Sequence, residues 1–250
     1  MVKIQLLIRK EDISVEKMAE GEKIAVVLDV LLATTTIVSA LKEGAKEVIP
    51  VQNPDEAVRE SRAFNTSEML MAGELNAGPI EGFIYPSPSE IKNEIKDKTL
   101  ILSTTNGTVA LRMAAGSKRV YISSLLNNAI TAKRILTAYK EETIMIVCSG
   151  NSGELSLEDF YGAGHLIACF GQTQEKLELN DAAKAALALY QYGEASPYER
   201  LAGSYVGQLL LRYGFHEDLK LASSVGEAEI IAVLKNGRVT AEQIGELKNS

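Results

Sequence analysis

The sequence is poor in the residues on which several common kinds of site depend. Its 250 residues include two histidines, two cysteines and no tryptophan. These counts exclude a histidine-rich zinc site, a four-cysteine metal cluster and a disulfide scaffold. In a chain of this length, Cys148 and Cys169 are expected to be buried and reduced. Any chemistry is therefore expected to use neither imidazole clusters nor paired thiols.

Positive charge is also scarce. Lys and Arg total 26 against 33 Asp and Glu, which gives a net charge of −7. This balance predicts no nucleic-acid partner and no anionic membrane partner, so an anionic ligand needs a local site. The apolar run at residues 4–8 is followed at once by the charged residues 9–12, unlike a secretory signal. No uncharged apolar stretch reaches the roughly 18 residues of a membrane span, so we expect a cytoplasmic protein.

Short β-branched runs alternate with helical patterns along most of the chain. This alternation predicts an α/β fold, with three α/β/α layers and a mainly parallel sheet, in one domain over residues 1–250. From about residue 155 to residue 221 the strand pattern lapses, which predicts a helix-rich C-terminal half. The predicted strands are residues 2–8, 24–30, 47–51, 69–72, 99–103, 119–122, 143–148 and 229–234, and the clearest predicted helices are residues 36–44, 54–64, 107–115 and 128–139.

Two βα segments of the sequence look alike. In residues 24–51 and again in residues 98–123, an apolar strand leads to a Thr-rich loop, a helix, a Gly and another strand. One interpretation is a duplicated unit that makes two similar βα lobes, whose Thr/Gly loops meet at the carboxyl edge of the sheet, where α/β proteins bind ligands. The other interpretation is that βα units simply resemble one another.

The loops that follow these strands suit an anion. A Thr-, Asn- and Gly-rich loop that opens a helix presents hydroxyls, backbone N–H groups and the positive end of the helix dipole. The alternative is that these residues only cap helices, a position that Thr and Asn favour anyway. The candidate anion-binding residues are Thr34, Thr35, Thr36, Thr105, Asn106 and Gly107.

Four carboxylates follow predicted strands or begin a predicted helix. Asp29 ends an apolar strand, Glu74 follows another, and Glu158 and Asp159 begin a helix after a Gly-rich loop. Oxygen ligands at strand ends are those that Mg²⁺ uses when it also holds a substrate phosphate. The alternative for Asp159 is a capping box with Ser156, which would make it a helix-start residue only. His165, among apolar neighbours, is expected to be an interior residue.

Several catalytic motifs are absent. The sequence has no P-loop and no G-x-S-x-G nucleophile elbow. Leu31 stands two residues after Asp29, where a haloacid-dehalogenase phosphatase has a second Asp. Neither cysteine is followed by the Arg of a tyrosine-phosphatase loop. A phosphatase built on this sequence would therefore have to use another mechanism.

The sequence resembles the 2-phosphosulfolactate phosphatase (ComB) family. The similar segments are residues 26–51, Gly-Glu at 73–74, Glu-Gly-Phe at 81–83, residues 102–108 and residues 148–164. They occur in order over nearly the whole chain. The resemblance implies a three-layer α/β fold and a Mg²⁺-dependent phosphatase that converts 2-phosphosulfolactate to sulfolactate, in coenzyme M biosynthesis or a related sulfonate pathway.

The chain departs from the family at positions that suit anion binding. Leu32 and Leu75 stand where the family has Arg, residues 86–88 replace Asn-Ser-Pro, and Val206 stands where the family has a His. Arg is the side chain best suited to bidentate binding of phosphate or sulfonate. The loss of two such groups could cost about 1.5–3 kcal/mol per charged hydrogen bond. The four carboxylates are retained.

The sequence therefore predicts a Mg²⁺-dependent phosphatase of a small acidic phosphoester, simplest as 2-phosphosulfolactate. Asp29, Glu74 and Asp159 are the expected catalytic residues, and these three with Glu158 are the expected metal ligands. The alternative is a weakened or inactive relative that binds an anion or a protein partner without turnover. A homodimer is the default expectation for the assembly.

Overall fold

The computed structural model describes residues 1–172, 176–192 and 194–242. Within them, eleven strands form one mixed, mostly parallel sheet, and eleven α-helices cover it. The α/β class and the three-layer arrangement predicted from the sequence are confirmed. The strands are β1 (Val2–Leu7), β2 (Lys23–Leu28), β3 (Glu47–Val51), β4 (Met69–Leu75), β5 (Gly78–Pro79), β6 (Thr99–Ser103), β7 (Arg119–Ser123), β8 (Thr143–Cys148), β9 (Leu177–Leu179), β10 (Ile231–Lys235) and β11 (Arg238–Glu242).

The helices lie on both faces of the sheet, so the core has two main parts. On one face, helices α1, α2, α4 and α5 pack against β2, β7 and β10, while α6 to α11 fill the other face. Helix α3 covers β3 and β6. The helices are α1 (Val15–Ala19), α2 (Ala33–Lys42), α3 (Pro54–Ser61), α4 (Pro88–Ile91), α5 (Gly107–Ala114), α6 (Asn128–Ala138), α7 (Leu157–Phe170), α8 (Asp181–Gln191), α9 (Pro197–Ala202), α10 (Tyr205–Arg212) and α11 (His216–Ala222).

The sheet contains two parallel blocks. Its order is β5-β4-β6-β3-β11-β10-β7-β2-β8-β1-β9. Strands β4, β6 and β3 are mutually parallel, as are β7, β2, β8, β1 and β9. The antiparallel hairpin β10–β11 joins the blocks through antiparallel pairs with β7 and β3, so the two blocks run in opposite directions.

Two helices bring the carboxyl ends of the blocks together. Helix α2 contacts β7 and β3, and α5 contacts β2 and β3, so each spans both blocks. The two helices begin side by side, because a Cβ added at Gly107 would lie 2.5 Å from Cβ of Ala33. The Thr-rich loops therefore meet at this junction.

The sequence missed three strands: β9, β11 and the two-residue strand β5 (Gly78–Pro79). The absence of a strand pattern between residues 155 and 221 predicted only helices there, which was wrong for β9 (Leu177–Leu179). This edge strand has three residues and is too short to give a pattern. Strand β11 was missed because two of its residues are exposed and only Val239 is buried. Both cysteines are free and buried, as predicted. No helix in the described part of the chain has both the length and the apolar character that crossing a bilayer requires.

Candidate functional site

Asp29 lies where α2 and α5 begin. Its Oδ1 accepts a hydrogen bond from the N–H of Ala33, with 3.3 Å between the atoms, and the N–H of Gly107 also donates to the carboxylate. A Cβ at position 107 would lie 2.6 Å from Oδ2 of Asp29, so this approach requires glycine. Two positive helix ends therefore face one carboxylate.

The surroundings of Asp29 favour its protonated form. Burial raises the pKa of Asp29 to about 7, and the charges of Glu74 and Glu158 add to the rise. The backbone N–H groups of Ala33 and Gly107 act in the opposite direction. A buried carboxylate with other acids around it is a group that a cation would stabilise in its charged form.

Glu74 joins the end of β4 to the loop before α5. Its Oε1 accepts from the N–H of Thr105 at 2.7 Å, and its Oε2 accepts from Thr105 Oγ1 at 3.0 Å and from the N–H of Ala77 at 2.6 Å. The N–H of Asn76 in turn donates to Thr105 Oγ1 at 2.8 Å. Glu74 thus fixes the position of Thr105.

Asp159 joins the ends of β2 and β8. Its Oδ1 accepts from the N–H of Val30 at 2.7 Å, and its Oδ2 accepts from the N–H of Gly150 at 3.2 Å. The N–H of Asp159 donates to Ser156 Oγ, as the capping-box interpretation predicts. The capping box does not account for the side chain of Asp159, whose carboxylate binds backbone groups just after β2 and β8. Burial, with the charges of Asp29 and Glu158, raises the pKa of Asp159 well above its usual value.

Glu158 is the fourth carboxylate of the group. It is 3% exposed in the first turn of α7. Burial raises its pKa, and hydrogen bonds with the side chains of Ser204 and Ser156 partly offset the rise. Because Asp29 and Asp159 both respond to the charge of Glu158, the three carboxylates form one electrostatic unit.

The hydroxyls of Thr34, Thr35 and Thr36 face the protein's own backbone. All three residues are fully buried. Their hydroxyls donate to the carbonyls of Asp29, Val30 and Pro86, with distances of 2.9, 2.8 and 2.8 Å respectively. The structure thus places these threonines behind the pocket, where they fix the start of α2. Thr105 and Asn106 do line the pocket.

One cavity of about 530 Å³ brings most of these groups together. Five acidic side chains line it, and no lysine or arginine does so among the described residues. In the same residues, no group of three or more His, Cys, Asp or Glu side chains is arranged to hold a metal ion by itself. The acids are Asp29, Glu74, Glu154, Glu158 and Asp159, of which Glu154 was not predicted from the sequence.

The donor set of the cavity fits Mg²⁺. This ion prefers oxygen ligands and keeps several waters, so one or two carboxylates and a substrate phosphate suffice to hold it. A preformed cage of three protein ligands is not required. The uncompensated acidic charge of the cavity favours such a cation.

Lys10 contacts the pocket from outside. Its Nζ donates to Asn106 Oδ1 at 2.7 Å and to Glu11 Oε1 at 2.8 Å, and its backbone N–H donates to the carbonyl of Ser149 at 3.2 Å. From the sequence, Lys10 was expected only to be one of the charged residues 9–12, which are unlike a secretory signal. A basic pair directly after an apolar strand is the signal that could have identified it.

His165 lies in the interior, as predicted. It is 6% exposed, and burial lowers its pKa to about 4. Its Nδ1 lies 3.1 Å from Asn128 Nδ2, and its Nε2 lies 3.5 Å from Cys169 Sγ. The structure therefore places His165 among interior partners rather than in the acidic pocket.

Fold and site together define an α/β protein with an acidic, cation-compatible pocket at the carboxyl ends of its strands. Comparison with known proteins is consistent with this class. The family model described as 2-phosphosulpholactate phosphatase matches residues 8–237. The chain belongs to this family, and membership supports phosphatase activity.

Similar proteins are found in several bacteria, and each is named a probable 2-phosphosulfolactate phosphatase. The protein of Caldanaerobacter subterraneus subsp. tengcongensis is 38% identical over 224 residues, which cover 89% of this chain and 92% of that protein. That of Clostridium perfringens (strain SM101 / Type A) is 37% identical over 249 residues and 98% of both chains. That of Symbiobacterium thermophilum is 36% identical over 87% of this chain and 93% of that protein.

Proposed function

We propose that this protein is a Mg²⁺-dependent phosphatase of a small acidic phosphoester, with 2-phosphosulfolactate, hydrolysed to sulfolactate and phosphate, as the reference substrate. The acidic pocket, whose lining contains no lysine or arginine in the part of the chain that the structure describes, carries the proposal. A phosphate dianion would be repelled by this lining, whereas a phosphate bound together with a divalent cation would be attracted. The names of the relatives supply the reference substrate.

The four predicted carboxylates have different parts in this proposal. Asp29 and Glu158 would hold the cation, because both are buried and lie within electrostatic reach of each other. Glu74 and Asp159 accept backbone N–H groups at both oxygens, so they would hold the loops in place and contribute charge. When bound, Mg²⁺ supplies polarisation of the phosphoryl oxygens and offsets negative charge in the transition state.

Residues of the chain itself would bind and orient the phosphate. The loop before α5 offers the Asn106 amide at the pocket wall, and Thr105, whose hydroxyl donates to Glu74, holds that loop in position. Thr34, Thr35 and Thr36 act indirectly, since Thr34 bonds both backbone groups of Asp29 and so fixes the direction of its carboxylate. The start of α5 at Gly107 adds the positive end of a helix dipole.

The test is phosphate release from 2-phosphosulfolactate by the purified protein. We expect release with Mg²⁺, and loss of release when EDTA is added and its restoration when excess Mg²⁺ follows. The variant Val58→Arg, whose altered side chain is exposed on α3 away from the pocket, should behave as wild type. Release that is unchanged in EDTA would contradict the metal dependence.

A second candidate function is anion binding without turnover. Leu32 and Leu75 favour it, because the resemblance of the sequence implies arginines at these two positions in the family. Leu32 lies in the pocket lining and is 8% exposed. If the protein binds the phosphoester with Mg²⁺ but releases no phosphate above background, this second function is supported and the first is rejected.

A further inference from the structure

We propose that the pocket selects phosphomonoesters whose organic group is apolar, and that it disfavours a second strongly anionic group such as a sulfonate. The inference rests on the proposed phosphatase function and narrows its substrate class. It follows from the lining of one cavity, which combines acidic and aliphatic side chains. The five carboxylates of the lining are called the acidic wall, and its leucine and valine side chains the aliphatic wall.

The aliphatic wall comes from three segments of the chain. The loop between β2 and α2 supplies two leucines, the loop before α7 supplies one, and helix α10 supplies three residues. The loop leucines before α2 are 8% exposed each, and Leu155 is 44% exposed at the rim. The wall consists of Leu31, Leu32, Leu155, Val206, Leu209 and Leu210.

The charges of the pocket do not complement a multiply anionic ester. Besides its phosphate, 2-phosphosulfolactate carries a carboxylate and a sulfonate. A cation held by the acidic wall would meet the phosphate, which leaves the other two anions without a basic partner in the described lining. Lys10 does not serve them, because its Nζ is engaged by Asn106 and Glu11. An anion placed against the aliphatic wall would lose hydration without compensation.

An apolar organic group should bind favourably against the aliphatic wall, where a sulfonate should bind unfavourably. Contact with the wall removes both aliphatic surfaces from water, and each added methylene should raise kcat/KM by about 4-fold until the wall is covered. Leu32, three residues after Asp29, adds aliphatic surface of this kind close to the acidic side chains.

The test compares four esters at saturating Mg²⁺: 2-phosphosulfolactate, 2-phospholactate, which lacks the sulfonate, butyl phosphate and hexyl phosphate. We expect kcat/KM to rise when the sulfonate is removed and to rise again from butyl to hexyl phosphate. The highest kcat/KM for 2-phosphosulfolactate would overturn the inference while it supports the phosphatase function.

Substitutions in the wall sharpen the comparison. Leu32→Arg should raise kcat/KM for 2-phosphosulfolactate by about 10-fold or more and lower it for hexyl phosphate. Leu155→Arg, at a rim position 44% exposed, should leave folding intact and should shift the preference in the same direction. Val58→Arg adds the same charge away from the pocket and should shift neither value. Equal effects of all three variants would contradict a role of the wall.

If none of the esters is hydrolysed, the phosphatase function fails, and binding decides the inference separately. Butylphosphonate and sulfolactate, each with Mg²⁺, would then be compared by the shift they cause in the melting temperature. A larger shift with butylphosphonate supports the apolar site, and a larger shift with sulfolactate overturns it.

Discussion

At the residue scale, Lys10 shows how a single basic side chain can act on an acidic pocket that it does not line. Its Nζ donates to the side-chain oxygen Oδ1 of Asn106 at 2.7 Å. The Asn106 amide is thereby held with its oxygen towards Lys10, so the amide offers N–H donors elsewhere. Donors of this kind complement a phosphoryl oxygen.

We expect Lys10→Met to raise KM for the phosphoester by about 10-fold, because a charged hydrogen bond that orients Asn106 is lost. The effect on kcat should be smaller, and Lys10→Arg should restore most of the affinity. Lys3→Met, which removes a lysine that pairs with Glu178 on the surface, is the matched control. Steady-state kinetics give both constants. An unchanged KM in Lys10→Met would exclude this positioning role.

The predicted carboxylates lie together in one pocket, whereas the hydroxyls of Thr34, Thr35 and Thr36 bind backbone carbonyls. The pKa of Asp29 responds to the charges of Glu74 and Glu158, and that of Asp159 responds to the charges of Asp29 and Glu158. The partner of a threonine hydroxyl depends on which carbonyl lies within 3 Å, and this is set by tertiary packing. Thr36, whose hydroxyl reaches Pro86 fifty positions further along the chain, could not be assigned from its neighbours in sequence.

At the scale of elements, the site depends on the meeting of α2 and α5. The two helices join strand blocks that run in opposite directions, so the carboxyl ends would not otherwise share a pocket. Gly107 permits the junction, because its missing Cβ leaves room for Ala33 and for the Asp29 carboxylate. This contact links the fold directly to the position of Asp29.

Gly107→Ala should therefore disturb both stability and activity. Its Cβ would lie 2.5 Å from Ala33 Cβ and 2.6 Å from Asp29 Oδ2, so the two helix starts must separate. We expect about 1–3 kcal/mol of destabilisation and a large loss of kcat. Gly171→Ala is the control, since the nearest atom to its Cβ is at 3.4 Å. Chemical denaturation and phosphate release measure the two effects, and wild-type values in both would contradict the proposed junction.

The elements themselves were largely predictable, apart from the hairpin at the centre of the sheet. Strands β3, β6 and β8 have the predicted bounds, because their apolar runs are buried on both faces. Of the β10–β11 hairpin only β10 was predicted, although Asn236-Gly237 between the two strands is a strong turn signal. Its position between the two parallel blocks follows from long-range pairing that no local pattern records.

At the scale of the whole molecule, the protein has a net charge of −7, and several of its acidic side chains lie together in the pocket. Without a cation, protonation relieves this repulsion. Asp29 has a pKa raised to about 7 in the fold, against a usual value of 3.8. The folded protein therefore binds the extra proton between these values, and this contribution to stability is present at low pH and lost as pH rises through 7.

The Asp29 contribution to the melting temperature without metal should accordingly be lost between about pH 4 and pH 7, where rising pH costs the wild type stability that Asp29→Asn does not lose. Mg²⁺ should raise the melting temperature more at pH 8.5 than at pH 6.5, because protons compete with the cation for the same carboxylates. His165 acts in the opposite direction only below pH 6.5, since its pKa is lowered to about 4. A metal effect that does not depend on pH would contradict carboxylate ligation in the pocket.

The central claim is that Asp29 and its neighbouring carboxylates support Mg²⁺-dependent phosphate release. The most direct measurement is the initial rate of release against Mg²⁺ concentration, for wild type and for Asp29→Asn, with the best substrate of the four esters. We predict saturable activation of the wild type and a loss of at least 100-fold, on the order of a few kcal/mol of transition-state binding, in Asp29→Asn. An Asp29→Asn protein with the activation curve of wild type would contradict the account.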